Sequence, residues 1–433
     1  MVDTIYAPAT GGAGSALSVI RISGPDAHSV LEQLIHGSLP APRMLSRRWL
    51  KDSDYSRIDD AMVVRFDHGA SFTGEAMAEV HCHGSRAVLN LLADRLSSDL
   101  GCRIADPGEF ARRAFENGRM DLAEAEGLAD LIAAETELQR RQAMRMMSGE
   151  LTQKVEAWRE TLLRACALIE VSIDWVDEDV PVDVRPEVKD LIDGLVQELR
   201  SELSRSATTQ RLRVGFEVAI IGAPNSGKST LLNHLAGREA AIVSEIPGTT
   251  RDVIELRYDL NGIPVVFLDT AGIRETSDVI EEIGVARAVE RAEGADLRVF
   301  MSPADQQDQV DFGRLSQEGD IAVWSKSDLG QNGHGLCVSG KTGEGIDGLL
   351  SVISERLSER SSGVGVLSQI RHERAVGDAV AILESLQPRI LNGDFEILAQ
   401  EMRTANRLLE GIVGRIDTDT ILDSVFRSFC LGK

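Results

Sequence analysis

A stretch near the middle of the chain, from residue 216 to residue 235, constrains the fold more than any other. The apolar run Phe216 to Ile221 leads directly into the loop Gly222-Ala223-Pro224-Asn225-Ser226-Gly227-Lys228-Ser229-Thr230, and helix-forming residues follow. A strand, a G-x-x-x-x-G-K-[ST] loop and a helix in this order form the phosphate-binding P-loop. Backbone amides and the helix N-terminus attract the phosphates, Lys228 reaches the β- and γ-phosphates, and Ser229 binds Mg²⁺. We therefore predict a nucleotide site over residues 225 to 230, with Lys228 taking part in catalysis.

Two later segments supply groups for the metal ion and the γ-phosphate. A second apolar run, Pro264 to Leu268, ends in Asp269-Thr270-Ala271-Gly272. An acidic residue at the carboxyl end of a strand can hold Mg²⁺ through water, and the glycine amide can sense the γ-phosphate. Between the P-loop and this run, Pro247-Gly248-Thr249-Thr250-Arg251-Asp252 places a hydroxyl at Thr250. We predict that Ser229 and Thr250 bind Mg²⁺ and that Thr250 takes part in catalysis.

The choice of base depends on a third run, Ile321 to Trp324, which ends in Ser325-Lys326-Ser327-Asp328. The Asp328 carboxylate can accept hydrogen bonds from N1–H and N2–H₂ of guanine, a pair of donors that adenine lacks. Further along, Ser339-Gly340-Lys341 matches the last guanine-contacting loop. These residues predict GTP rather than ATP. Ser325 stands where GTPases usually have Asn, so we expect one hydrogen bond to the guanine edge or to the loop to be missing or shorter.

The group that would orient the attacking water is not evident from these motifs. Ile273 directly follows the D-x-x-G motif and can neither donate nor accept a hydrogen bond. The segment that follows offers four carboxylates, and the residues themselves do not choose among them: Glu275, Asp278, Glu281 and Glu282.

The flanks of the P-loop region differ in pattern, and 433 residues exceed what one hydrophobic core usually serves. Short β-branched runs broken by Gly and Pro fill the first part of the chain. Asp121, with Glu124 three residues later, is a plausible helix N-cap. Helical spacing is seen in two later seams, at Val155, Trp158, Leu162, Ala165 and Ile169, and at Ile397, Leu398, Met402, Ala405, Leu408 and Ile412.

These patterns predict a multidomain protein of α+β and α/β class. A small N-terminal α+β domain spans 1–117, and a P-loop G domain of the Ras-like type spans 212–362. The G domain is inserted into a discontinuous helical bundle formed by 118–211 and 363–433. Polar stretches at 206–209 and 361–363 are read as the linkers. Two separate helical pieces are the alternative.

Charge and composition narrow the possible partners. With 46 basic and 69 acidic residues the formal net charge is −23, which disfavours non-specific binding of nucleic acid. An RNA would have to meet a local basic patch, of which the candidates are Arg47-Arg48, Arg112-Arg113, Arg140-Arg141 with Arg145, and Arg211 with Arg213.

Cysteine usage and hydropathy indicate a cytoplasmic protein. The five cysteines are scattered without C-x-x-C, which argues against a disulfide scaffold or a zinc knuckle. His81-Cys82-His83 is read as structural rather than as a metal site. No apolar run approaches membrane-spanning length, and the start of the chain lacks a signal-peptide pattern.

Several motifs taken together resemble the MnmE (TrmE) family of bacterial tRNA-modification GTPases over the whole chain. The terminal motif is the most diagnostic of them. Besides the nucleotide motifs, they are Arg21-Ile22-Ser23-Gly24, Ser71-Phe72-Thr73-Gly74-Glu75, Pro107-Gly108-Glu109-Phe110, Pro247-Gly248-Thr249-Thr250-Arg251-Asp252 and Phe429-Cys430-Leu431-Gly432-Lys433.

The resemblance implies a homodimer, formed through the N-terminal domains, that binds 5-formyl- or 5,10-methylene-tetrahydrofolate as a one-carbon donor. It also implies a hetero-oligomer with an FAD-dependent MnmG-like protein that modifies C5 of the wobble uridine (U34) of certain tRNAs. The implied folate contacts are Arg21, Glu79, Arg119 and Lys433, and the family commonly has Lys where Arg119 stands. A regulatory GTPase switch in ribosome assembly is the alternative function, although no RNA-binding G-x-x-G loop or basic tail supports it.

The same resemblance implies hydrolysis that depends on K⁺ in place of an arginine finger. It also selects Glu281 from the four carboxylates as the residue that positions water. For Cys430 of the terminal motif a covalent role is conceivable, and a positional role is favoured. The implied K⁺ ligands are Asn225, Ser244, Thr249 and the backbone of Ile246, and the first three are also predicted to contact GTP.

Overall fold

The computed structural model describes residues 3–10, 14–174, 183–242, 255–269, 290–304, 316–330, 335–361, 363–392, 395–415, 422, 425, 426, 429 and 432. The chain divides into two compact units. The first comprises Met1–Ala129, Met147–Ala157 and Leu409–Lys433, and the second comprises Asp130–Met146 and Trp158–Leu408. The domain limits inferred from the sequence stay a prediction, whereas the mixed α/β fold class is confirmed.

A six-stranded sheet dominates the N-terminal part of the first unit, with strand order β3-β4-β5-β2-β1-β6. All neighbours are antiparallel except β1 and β6. Alternate residues of β2, Ile20 and Ile22, are buried together with Leu31 of α1 and Leu92 of α2. Arg21 therefore lies on the opposite face. The elements are β1 Ile5–Pro8, β2 Ser18–Ser23, α1 Ala27–Leu34, β3 Ser46–Lys51, β4 Arg57–Phe66, β5 Met77–Cys82, α2 Arg86–Asp94, a π-helical turn Arg95–Asp99, β6 Arg103–Ile104 and α3 Glu109–Glu116.

Helices follow this sheet along the chain. The predicted N-cap is confirmed, because the amide of Glu124 donates to Asp121 and the amide of Asp121 donates back to Glu124, at 2.8 and 2.9 Å. All five residues of the predicted seam that begins at Val155 are buried, and they lie on one helix, α6. The helices are α4 Leu122–Ala133, α5 Glu137–Met147, α6 Glu150–Asp174 and α7 Arg185–Val214.

The polar stretch 206–209, interpreted from the sequence as a linker, is helical, and that prediction was wrong. α7 continues to Val214, with Ser206 and Thr209 buried inside it. Both hydroxyls donate to backbone carbonyls of the preceding turn, at 2.8 and 2.9 Å. Because the polar groups are satisfied within the helix, burial outweighs the weak helical preference of Ser and Thr.

The second unit contains a seven-stranded sheet in the order β13-β12-β11-β7-β10-β9-β8. Its neighbours are parallel from β13 through β10, and β9 and β8 are antiparallel. The β9–β10 hairpin turns at Asn261-Gly262, both at positive φ (54° and 88°), as a two-residue hairpin turn requires. The elements are β7 Phe216–Ile221, α8 Lys228–Ala236, β8 Ala241–Ile242, β9 Glu255–Leu260, β10 Ile263–Asp269, β11 Leu297–Pro303, β12 Ile321–Ser325, β13 Cys337–Val338 and α9 Ile346–Ser361.

Two further helices, α10 Ile370–Asn392 and α11 Phe395–Ile412, follow along the chain. The sequence analysis had not identified α10. In α11 the helical period is confirmed, but Ile397 is exposed and Leu409 is buried beside Met402, so the buried face is displaced from the predicted one. Within the described part of the chain, no helix combines the length and apolarity needed to cross a membrane.

Candidate functional site

A cavity of about 500 Å³ lies at the carboxyl ends of the parallel strands. Ligands of open parallel sheets bind at this edge, because loops from neighbouring strands meet there. The cavity brings together three of the motifs that the sequence predicts for GTP. Its lining is Gly222, Pro224, Asn225, Gly227, Lys228, Ser229, Thr230, Met301, Ser325, Lys326, Asp328, Leu329, Gly340 and Lys341.

Lys228 is the first residue of α8, and its ammonium group turns back into the P-loop. Its Nζ donates to the carbonyl oxygens of Gly222 and Ala223, at 2.7 and 3.1 Å. Burial lowers the pKa of Lys228, and the nearby Asp269 carboxylate opposes that shift. A buried ammonium beside a helix N-terminus is well placed to receive anionic phosphate oxygens.

Ser229 and Asp269 form the described part of the predicted Mg²⁺ site. Ser229 is the second residue of α8, and Asp269 is the last residue of β10. The Ser229 hydroxyl donates to Asp269 Oδ2 at 3.3 Å. A hydroxyl and a carboxylate are the hard oxygen donors that Mg²⁺ prefers. The residues present therefore fit a Mg²⁺ ion that also binds substrate phosphates.

Asp328, the predicted guanine-binding carboxylate, is held by the loop that follows β13. The Ser339 hydroxyl donates to Asp328 Oδ1 at 2.7 Å and accepts from the amide of Thr342 at 3.1 Å. The sequence placed Ser339 in the guanine-contacting loop but gave no sign of this orienting role. Asp328 keeps further lone pairs for a guanine edge.

For Ser325 the sequence predicts a missing or shorter hydrogen bond either to the guanine edge or to the loop, and the structure shows that the one to the loop is present. Its hydroxyl lies 2.5 Å from the carbonyl oxygen of Ser226 in the P-loop and 3.2 Å from that of Ser302 at the end of β11. The tether between the base-binding loop and the P-loop is therefore present with Ser in place of Asn. The Ser325 side chain is buried, and the Ser226 carbonyl oxygen lies close enough for a short hydroxyl to reach it.

Several predicted residues lie outside the described part of the chain: Ser244, Ile246, Thr249, Thr250, Thr270, Ala271, Gly272, Glu281, Cys430 and Lys433. The sequence analysis also missed Met301 and Ser302. Both belong to β11, whose run Leu297 to Met301, apolar except for Arg298, was the available signal.

A second group of polar side chains surrounds Arg21 on the sheet of the first unit. Arg21 and Glu79 are cross-strand partners on β2 and β5, and Arg21 donates twice to Glu79 Oε1, at 3.2 and 3.1 Å. The guanidinium also lies 5.4 Å and 5.7 Å from the ring centres of Phe72 and Phe110. At 3.4 Å, Arg21 Nη1 donates to the carbonyl oxygen of Gly432.

Glu79 and Arg119, which the resemblance implies for folate together with Arg21, have further neighbours. The second Glu79 oxygen is 3.3 Å from His81 Nε2. Arg119 is exposed, and its side chain passes close to Gly74. If Gly74 carried a Cβ atom, that atom would lie 3.2 Å from Arg119 Cγ. His83 bonds Asp59 at 2.8 Å instead of sharing a ligand with His81, and the described residues contain no cluster of three metal-ligating side chains.

Comparison with known proteins identifies the family. Residues 122–430 match the profile of the MnmE helical domain, and residues 4–119 match that of the GTP-binding protein TrmE N-terminus. A protein of Cereibacter sphaeroides named tRNA modification GTPase MnmE is 52% identical over 434 residues, covering 100% of both chains. Proteins of the same name from Roseobacter denitrificans and Parvibaculum lavamentivorans are 51% and 43% identical, again covering 100% of both chains. The chain belongs to the MnmE family of tRNA modification GTPases.

Membership in the MnmE family confirms the resemblance seen in the motifs and gives the chain its activity, GTP hydrolysis in tRNA modification. This assignment is chosen over the alternative that the sequence left open, a regulatory GTPase switch in ribosome assembly. The P-loop cavity and the Ser229–Asp269 pair fit the nucleotide and Mg²⁺ that a GTPase of the MnmE family requires.

Proposed function

We propose that this GTPase acts in the cytoplasm as a homodimer, in a hetero-oligomer with an FAD-dependent partner of the MnmG type, to modify C5 of the wobble uridine, U34, of certain tRNAs. A tetrahydrofolate derivative, in the 5-formyl or 5,10-methylene form, would supply the one-carbon unit. The observation that carries the proposal is the hydrogen bond from Arg21 to the carbonyl oxygen of Gly432, at 3.4 Å. It brings the residue before Lys433 to Arg21 and Glu79, two residues that the family resemblance implies for folate.

The chemistry around Arg21 supports a folate ligand. Guanidinium groups pair with carboxylates such as the glutamyl tail of folate, and a carboxylate such as Glu79 can accept from pterin N–H groups. Phe72 and Phe110 add apolar surface beside the Arg21 guanidinium. We propose that Arg119 and Lys433 complete the site, and that the limits 1–117, 118–211, 212–362 and 363–433 describe the domains. The helical-domain match supports the insertion, because it runs from 122 to 430, on both sides of the P-loop region.

For GTP hydrolysis we propose roles for the residues of the P-loop cavity. Lys228 leaves the carbonyls of Gly222 and Ala223 and donates to phosphate oxygens, while Ser229 and Thr250 hold Mg²⁺. We further propose that Asn225, Ser244, Thr249 and the backbone of Ile246 bind K⁺. A K⁺ ion there would offset γ-phosphate charge, as an arginine finger does elsewhere. Glu281 would orient the attacking water.

The modification is tested by mass spectrometry of wobble uridines in tRNA from cells that lack this protein. We expect the C5 modification to be lost, to return with the wild-type gene, and to stay absent with Arg21→Ala. Ser46→Ala on β3 serves as the control, because Ser46 lies outside the Arg21 group. Unchanged wobble uridines in the deletion strain would refute the proposed reaction, and full rescue by Arg21→Ala would refute the folate site.

K⁺ and Glu281 are tested together by single-turnover GTP hydrolysis in K⁺ and in Na⁺. We expect Na⁺ to lower the rate and to weaken the GTP-state association of G domains, because a site spaced for K⁺ holds the smaller ion poorly. Glu281→Ala should lower turnover by ~10² to 10⁴, the range for losing a general base, with nucleotide affinity unchanged. Equal wild-type rates in the two salts would remove K⁺ from the mechanism, and near-normal turnover of Glu281→Ala would return the choice to Glu275, Asp278 and Glu282.

A further inference from the structure

The start of α5 is tied to the end of α7 by a single buried side chain. Gln139 Oε1 accepts from the amides of Glu135 and Thr136, at 3.0 and 3.1 Å, and thereby caps the first turn of α5. Its Nε2 donates to the carbonyl oxygen of Arg213 at 2.9 Å. Arg213 lies in the last turn of α7, immediately before the chain enters the seven-stranded sheet. One glutamine therefore fixes both the helix start and this crossing point.

A second glutamine, one turn later on α5, contacts the other crossing point. Gln142 Nε2 donates to the carbonyl oxygen of Gly365 at 3.2 Å. Gly365 lies between α9 and α10, where the chain leaves the sheet region. Gln139 and Gln142 are only 9% and 6% exposed, and residues three apart share a helix face. Gln139 and Gln142 thus donate hydrogen bonds to backbone carbonyls close to the two points where the chain enters and leaves the P-loop region.

The same corner of α5 also contacts the sheet directly, at the β9–β10 hairpin. The Leu138 amide donates to the carbonyl oxygen of Gly262 at 3.3 Å, and Leu138 packs against the core of the sheet. Arg257 of β9 bonds Glu135 at 3.2 Å. The contact combines a backbone hydrogen bond, apolar packing and an ion pair, so a shift of the hairpin relative to α5 would disturb all three.

Both ends of this hairpin lead to residues that we assign to the Mg²⁺ site. The segment before β9 contains Thr250, which we propose as a Mg²⁺ ligand. β10 ends at Asp269, 3.3 Å from Ser229. Loops that hold Mg²⁺ and the γ-phosphate change arrangement between nucleotide states. A rearrangement at either end would therefore act on the hairpin that α5 contacts.

We infer that α5 is a clamp that couples the nucleotide state of the P-loop region to the helical region, with Gln139 and Gln142 as its positioning residues. This inference rests on the proposed function, since coupling matters only if GTP hydrolysis drives the modification. In the clamp, hairpin movement is passed to α5 through Leu138 and Arg257, and the two glutamines make α5 move with both connections.

The clamp is tested in the full-length protein with its partner and tRNA. Gln139→Glu with Gln142→Glu removes both amide donors and keeps side-chain size and the capping oxygen. Intrinsic GTP hydrolysis should stay within about two-fold of wild type, because the changes lie away from the cavity, while modified uridines per GTP hydrolysed should fall about ten-fold or more. Met144→Ala is the matched control, because Met144 lies on the same helix, is 42% exposed and belongs to neither glutamine contact. Arg257→Ala is a milder variant that leaves α5 itself unaltered.

Hydrogen exchange distinguishes coupling from a purely structural role of the two glutamines, because a loss of stability alone does not remove the dependence of exchange on the nucleotide. In the wild type, amides of α5 and of the β9–β10 hairpin should both change protection between GDP and GDP with aluminium fluoride. In the variants, the nucleotide-dependent change in protection should remain in the amides of the hairpin and be lost from the amides of α5. The clamp would be overturned if hydrogen exchange in wild-type α5 did not depend on the nucleotide. It would also be overturned if α5 of the double variant showed the same nucleotide-dependent change as wild type. Because the exchange experiment needs no modification reaction, it tests the clamp even if the proposed reaction fails.

Discussion

At the scale of single residues, the guanine site depends on a carboxylate that another side chain orients. Ser339 donates to Asp328 Oδ1, so Asp328 is fixed before a ligand arrives. We expect Asp328→Asn to shift nucleotide preference from GTP toward xanthosine triphosphate, because an amide can donate to the extra carbonyl. Competition titrations with the two nucleotides measure the shift, and unchanged GTP binding by the variant would contradict the assignment.

Ser325 supports a second prediction at this scale. Its hydroxyl can donate only one hydrogen and has two carbonyls within reach, those of Ser226 and Ser302. Ser325→Ala should weaken GTP binding by about 1 kcal/mol, roughly five-fold, because the P-loop loses this tether. Ser325→Asn, which restores donors, is the comparison variant. Equal GTP affinity of wild type and Ser325→Ala would show that the tether does not contribute to binding.

At the scale of elements, α7 shows how burial turns a polar stretch into helix. Thr209 Oγ donates within the helix and also accepts from the amide of Gly365 at 2.9 Å. Thr209→Val keeps the shape but leaves a buried amide without this acceptor, so it should lower the free energy of unfolding by ~1–3 kcal/mol. Urea unfolding measures the change. Thr209→Ser keeps the oxygen and should lose less, and a larger loss in Thr209→Ser than in Thr209→Val would contradict the role of the hydroxyl.

At the scale of the whole molecule, the two predicted sites belong to different units. The P-loop cavity lies in the second unit, and the Arg21 group with Gly432 lies in the first. Removing the last three residues should therefore abolish binding of 5-formyl-tetrahydrofolate and tRNA modification, while intrinsic GTP hydrolysis stays near normal.

A point variant sharpens this test. Gly432 has φ 92°, and an added Cβ would lie 2.1 Å from the Pro8 carbonyl oxygen, so Gly432→Ala should displace the tail with every other residue retained. Isothermal titration with the folate and a GTPase assay measure the two activities separately. Normal folate binding by the truncated chain would exclude the tail from the site.

The sequence by itself determined the parts of this protein whose chemistry is local. The P-loop, the Asp328 motif and the Asp121–Glu124 cap depend on residues a few positions apart, so the sequence predicts each of them. The seam from Val155 to Ile169 was also evident, because helical periodicity is a local pattern.

Only the tertiary structure decided what depends on distant neighbours. It showed that Ser325 tethers the P-loop, because Ser226 lies 99 positions earlier in the chain. It showed that 206–209 is helical, since the burial of Ser206 and Thr209 outweighs local preference, and Thr209 also accepts from the Gly365 amide. It also brought Gly432 to Arg21, 411 positions away. Local patterns fix which groups are available, whereas burial and long-range hydrogen bonds fix which of them meet.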